Sequence, residues 1–207
     1  MLQRSILFVI LMGCLPPRIA LSRERPRTPW PPPPGPARLI IDTGAANEVD
    51  AQYALVLALG FQERFQIEGL ISAPFGEAGG SSGIEKPLAE IRAVLDKAGM
   101  FGRYPVERGA APPQHRYRPP CSEVGIDFII ERARGATPDS PLWHVLLRPA
   151  TDAAAALLKA PEILDRLVVF WHGHTQWPVR CWNFNSYNDV RAARGRAGPA
   201  NRDHKGG

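Results

Sequence analysis

The stretch LIIDTGAANEVDAQYAL, residues 39–55, sets Asp42, Asn47, Glu48 and Asp50 where an apolar run gives way to a helical pattern. Asn47 and Asp50 have the spacing of a helix capping box, and acids in a first turn suit the helix dipole. Capping leaves Asp42 unexplained, because a carboxylate at the end of an apolar strand is costly without a partner. A carboxylate there, with an amide and two further acids in the next turn, gathers oxygen ligands for a hard cation or for sugar hydroxyls. Gly44 and Ala51 lie in the same stretch and offer no side-chain oxygen.

Three other stretches carry polar chemistry. CWNFNSYNDV, residues 181–190, combines Asn183, Asn185 and Asp189 with aromatic rings. Its amides match sugar hydroxyls and its rings offer a flat apolar surface for a base, although by composition alone it is an Asx-rich turn. HGH, residues 172–174, has two imidazoles but no third metal ligand beside it, so these are expected to be ordinary loop histidines. GEAGGSSG, residues 76–83, lacks both the GK[ST] ending of a P-loop and the order of a dinucleotide fingerprint, and is expected to be a loop over the strand ends.

The elements that must position these groups alternate along the chain. RLIID, FQIEGLISA, YPVERGA, PLWHVLLRP and RLVVFWHG form strands or extended segments; helices fall over residues 50–60, 83–99, 122–134 and 151–159. This alternation predicts an α/β fold with a mainly parallel sheet flanked by helices. The near-continuous apolar strands predict burial on both sheet faces. Ligands in such sheets bind beyond the carboxyl ends of the strands, where Asp42 and its followers fall.

With 207 residues, the chain accommodates one domain with flanks. Its formal charge of +5 does not make it a nucleic-acid binder, since residues 38–189 hold 15 Lys+Arg against 18 Asp+Glu. Each flank instead carries five basic residues against one acidic residue, so the basicity is terminal. MLQR followed by SILFVILMGCL has the physics of a secretory signal, too short to span a bilayer and broken by Pro16 and Pro17. Cleavage near Ser22, lipidation at Cys14 and an uncleaved anchor are the open alternatives, and each implies export, with any membrane contact made through this segment. The expected organisation is a targeting segment (1–22), a Pro-rich linker (23–37), one domain (38–193) and a disordered basic tail (194–207). Cys121 and Cys181 either form one disulfide or remain buried thiols.

Several segments, in order, resemble the inosine-uridine preferring nucleoside hydrolases. IDTGAANEVDAQYAL resembles that family's DTD…DD motif, and PVERGAAPP its PVYRGA segment. RPATDAAAALLKAPEI resembles GPLTNxAxAL…PEI, and WNFNSYNDVRAA resembles EFN…D..AA. The resemblance runs from about Leu39 to Ala193. It implies a nucleoside-hydrolase fold with a Rossmann-like core and hydrolysis of the N-glycosidic bond of ribonucleosides to ribose and free base. In the family a calcium ion is held by Asp carboxylates and a Thr main-chain carbonyl, and an Asp acts as base on the metal-bound water. That chemistry fits an oxocarbenium-like transition state and a cation that lowers the pKa of water.

Carried onto this chain, the resemblance makes Asp42 and Thr151 metal ligands and makes Asp50, Asn183, Asn185 and Asp189 substrate contacts. Asp42 and Glu48 are the candidate catalytic carboxylates. The position of the general base is Gly44, a second metal-binding Asp is Ala51, and Asn183 stands at the family's Glu. Weak or absent calcium binding is therefore expected, together with a sheet left incomplete at the C-terminus. Two readings follow: a purine or pyrimidine nucleosidase, or a non-catalytic relative that binds a small ribonucleoside or sugar at the cell surface.

Overall fold

The computed structural model describes residues 35–74, 82–110, 123–173 and 182–193. The targeting segment, nearly all of the linker, most of the glycine-rich loop, the three cysteines, His174 and the basic tail lie outside the described residues.

The described chain runs β1 (Ala37–Thr43), α1 (Val49–Gly60), β2 (Phe65–Ser72), α2 (Ser82–Lys97), β3 (Val106–Arg108) and α3 (Val124–Arg134). It continues through β4 (Leu142–Leu146), α4 (Thr151–Lys159), a 3-10 helix (Pro161–Arg166), β5 (Leu167–Trp171), α5 (Phe184–Asn188) and α6 (Val190–Ala193). Every expected strand and helix forms, with ends a few residues shorter or longer than the apolar patterns indicated. The 3-10 helix and the two short helices after β5 had no periodic signal long enough to register.

All strand pairs are parallel, in the order β3-β2-β1-β4-β5. The chain builds outward from β1 to β3 and then returns through α3 to lay β4 on the other side of β1. Strand order therefore reverses between β1 and β4, which opens a crevice beyond their carboxyl ends.

Period-two alternation divides the core into two layers. Leu39, Ile41 and Ile67 pack with Leu55 and Leu59 of α1 and Ile91 and Leu95 of α2. On the opposite face, Ile40, Ile71 and Leu142 pack with Ile126 and Ile129 of α3, Ala155 and Ala156 of α4, and Ile163. The expectation of burial on both faces holds for the central strands and is corrected at β5, an edge strand on which Phe170 is 61% exposed. The outer side of α1 is also apolar and exposed at Val49, Tyr53, Val56 and Leu57.

Between Leu39 and Ile40 the β1–β2 register slips by one residue, leaving Glu68 opposite the gap and bonded to Arg38. The next residue, Gly69, lies under the Phe128 ring, and a Cβ there would sit 2.5 Å from the ring edge. Gly69→Ala is expected to lower stability by about 1–3 kcal/mol through overpacking. Denaturant unfolding measures this, and an unchanged midpoint would mean that Phe128 does not rest on this glycine.

Candidate functional site

The carboxyl ends of β1 and β4 carry the polar residues that the apolar layers leave over. Asp42, Thr43, Ser72, His144, Arg148, Thr151, Asp152, Asn185, Asn188 and Asp189 are all buried. Such a concentration within a domain core requires partners for each group.

Arg148 lies just past β4, with a side chain that has no exposed surface. Its Nη2 donates to the Gly44 carbonyl at 3.2 Å. With its amide turned to satisfy both groups, Asn47 accepts from Nη2 at 3.0 Å and from Nη1 at 3.2 Å. Glu48 Oε1 stands 3.7 Å from Nη1, and the Phe184 ring centroid is 5.8 Å from the guanidinium carbon. Burial pulls the Arg148 pKa down from its ordinary value, while the charges of Glu48, Asp50 and Asp42 act to hold the proton. A guanidinium remains charged under these conditions because its intrinsic pKa is so high.

The loop before α1 is thus wrapped around an arginine, which corrects the expected helix cap. Glu48 occupies the N-cap position without a side-chain capping bond, and Asn47 turns its amide to Arg148 instead. A charged donor outcompetes a backbone N–H for the one good acceptor in reach. Asp50 is exposed and accepts from its neighbour's amide, Ala51 N, at 2.8 Å.

Asp42 faces a second buried carboxyl, Asp152, from the first turn of α4. Neither Asp42 oxygen nor Asp152 Oδ2 meets a donor among the described residues, an arrangement that favours a proton on one of the two carboxyls. Burial raises the Asp42 pKa to about 7, with the Asp152 hydrogen bond and the Arg148 charge pulling the other way. Asp152 is raised well above its ordinary value, first by burial and then by the neighbouring Asp42. Asp152 Oδ1 accepts from Ala110 N at 2.6 Å, and a Cβ on Gly109 would sit 2.2 Å from Oδ2. His144 Nε2 is 3.6 Å from Asp42 Oδ2, but burial lowers this imidazole to about 4, so it is neutral near pH 7.

The remaining candidates are placed by the short helices. Thr151 Oγ1 donates to Asp189 Oδ2 at 2.8 Å, and Asp189 Oδ1 accepts from Arg191 N and Ala192 N, tying α6 to α4. Asn185 Nδ2 donates to His172 O at 2.8 Å and to Leu147 O at 3.4 Å, anchoring α5 beyond β4 and β5. Asn183 Oδ1 caps α5 through Ser186 N at 3.0 Å. Asp42, Glu48 and Asp50 thus gather around Arg148, while Thr151 and Asp189 form a pair of their own. His172 is exposed.

The calcium ion of the resembled family does not fit these residues. A Cβ on Gly44 would lie 2.2 Å from Arg148 Nε and 2.9 Å from Cζ, so the guanidinium fills the space of the missing carboxylate. Among the described residues no group of three or more His, Cys, Asp or Glu is arranged to hold a metal ion. Arg148 belongs to the strand-end stretch 148–152, but the sequence assigned it no role at this site. The signal was available: an arginine closing an apolar strand, with Asp152 just beyond it in an otherwise apolar helix.

No protein-family profile matches the sequence, and comparison with curated proteins finds no match. Solved structures do match in fold. A plant nucleoside hydrolase superposes with a TM-score of 0.61 at 18% identity, covering 77% of this chain and 56% of that one. An inosine-uridine preferring nucleoside hydrolase from Bacillus anthracis gives 0.55 at 16% identity, covering 77% and 60%. The type III effector protein XopQ, solved with adenosine diphosphate ribose, gives 0.54 at 19% identity, covering 84% and 56%. The chain has a nucleoside-hydrolase-like fold and spans less than two thirds of the length of each of these relatives.

The carboxyl pair sets a pH dependence. Asp42 rises from 3.8 to about 7, so the folded state holds a proton that the unfolded chain has released, and stability falls as pH rises through that window. His144 falls from 6.5 to about 4, so its contribution rises with pH across its own window and opposes the first. Above that window the carboxyls act alone, at about 1.4 kcal/mol per pH unit per proton. Asp152→Asn keeps an acceptor for Ala110 N and gives Asp42 an amide donor. Its melting temperature relative to wild type is expected to climb as pH rises from about 6 through the Asp42 value of about 7; a difference constant across this range would rule out a proton held by the pair.

Proposed function

We propose that this chain, built on the nucleoside-hydrolase-like fold, binds a ribonucleoside or its ribose without cleaving it. The observation that carries this reading is the Arg148 guanidinium in the space beside Gly44. Hydrolysis in the related enzymes needs a metal-bound water and a carboxylate base. Here a cation with no open coordination position stands at that place, and the base position has no side chain. What the crevice retains is recognition chemistry in exposed Asp50 and half-exposed Glu48, with the amide of Asn183 at the head of the short helix whose Phe184 faces Arg148.

Carboxylates and amides are the usual partners of sugar hydroxyls, and charge-assisted hydrogen bonds of this kind are the stronger ones. The fold likeness to an effector solved with adenosine diphosphate ribose supports a ribose-bearing ligand. The N-terminal segment supports export, so the ligand would be met outside the cytoplasm or at a membrane surface. Hydrolysis remains the competing reading, with half-exposed Glu48 as the base.

Calorimetric titration with inosine, uridine and ribose in EDTA, run beside a reducing-sugar assay, separates these readings. Binding is expected to be unaffected by EDTA, with no ribose released. Asp50→Ala is expected to weaken binding about 10-fold, the scale of one charged hydrogen bond. Steady release of ribose would establish hydrolysis, and the absence of heat with all three ligands would end the nucleoside reading.

A further inference from the structure

We propose that Arg148 is a resident cation, a fixed guanidinium that stands in the place of the calcium ion of the related enzymes, so that this site takes no metal. The proposal rests on the reading above only for which site is meant.

Gly44 provides the first argument. Its backbone does not need glycine, since the glycines with left-handed φ are Gly35, Gly99 and Gly102. What forbids a side chain there is the arginine, whose Nε, Cζ and Cδ would lie 2.2, 2.9 and 3.0 Å from a Cβ. The glycine is therefore a space requirement imposed by a residue 104 positions later in sequence.

The guanidinium's surroundings provide the second. A main-chain carbonyl from Gly44, an amide oxygen from Asn47 and a carboxylate from Glu48 converge on it. These are the three kinds of oxygen that a hard divalent ion takes. Phe184 closes the remaining side with its ring face at 5.8 Å. The cage holds a cation already, and a second cation in the same buried volume would be repelled by it.

Two departures from the resembled motifs are paired. Gly44 stands at the second Asp of DTD, and Arg148 stands at the Gly of GPLTN. The two positions lie at the ends of strands that are neighbours in the sheet. The space beside the residue that follows β1 is filled by a side chain from the residue just past β4. With carboxylates absent at both Gly44 and Ala51, the positive charge at this place is the guanidinium, faced by Glu48, Asp50 and Asp42.

The test is a double-mutant cycle on the full chain, read by thermal unfolding with EDTA or with millimolar calcium and no nucleoside. The wild type is expected to show no calcium-dependent shift. Gly44→Asp and Arg148→Gly should each lower the melting temperature, and the double variant should recover part of both losses and gain a calcium-dependent rise of several degrees. Stabilisation of the wild type by calcium, or losses that simply add in the double variant, would overturn the proposal. Should a glycine variant not fold, Arg148→Lys against Arg148→Met decides the matter: retained charge predicts the higher melting temperature for lysine, and methionine equal or better refutes it. None of these readings uses nucleoside binding, so failure of the ligand reading and failure of the resident cation are separate results.

Discussion

A guanidinium with no exposed surface must find its counter-charges and hydrogen bonds inside the protein, and the end of the sheet at the β1–β4 crevice is organised around that demand from Arg148. The loop between β1 and α1 takes its shape from it. Asn47 gives up capping the helix, the Gly44 carbonyl points inward, and Glu48 at the head of α1 supplies a charge. Phe184 brings the short helices after β5 into the same assembly. Removing one partner from such a cluster costs more than the pair itself contributes, because the other is left buried and unsatisfied.

The carboxyl pair is the complement of this arrangement. Asp42 and Asp152 come from a strand end and a helix start, and the interior does not tolerate two unpaired carboxylates at close range. Burial raises both carboxyls and so lowers the negative charge that the pair carries beside the arginine. Gly44 makes room for the arginine as Gly109 makes room for Asp152, so two of the glycines at the strand ends are explained by side chains that come from distant parts of the chain.

The fold and the charge arrangement point in different directions, which is the functional interest of this protein. The parallel sheet and its switch point are shared with nucleoside hydrolases over more than three quarters of this chain. Fold alone does not carry chemistry, which belongs to the groups placed at the site. Clefts of about 390 Å³ beside Asp127 and Lys159 and about 380 Å³ beside Gln62 and Tyr104 lie away from the crevice. The chemistry at the strand ends therefore bears the functional argument.

Much of the architecture was legible from the residues. Apolar runs of strand length alternating with helical patterns determined the elements, their parallel arrangement and the end of the sheet at which Asp42 would lie, because hydrophobic periodicity is a local property. The loss of carboxylates at Gly44 and Ala51 was legible for the same reason: a missing side chain is visible without coordinates. What occupies the vacated space was not, since Arg148 meets Gly44 across 104 residues and only strand order makes them neighbours. The sequence likewise could not pair Asp42 with Asp152 or turn Asn185 and Asp189 inward as anchors for the short helices. Residue types determined which charges this protein owns. Tertiary structure decided which of them face each other, because the energy of a buried charge depends on its distance to its partners and on the exclusion of water, and neither quantity exists before the chain folds.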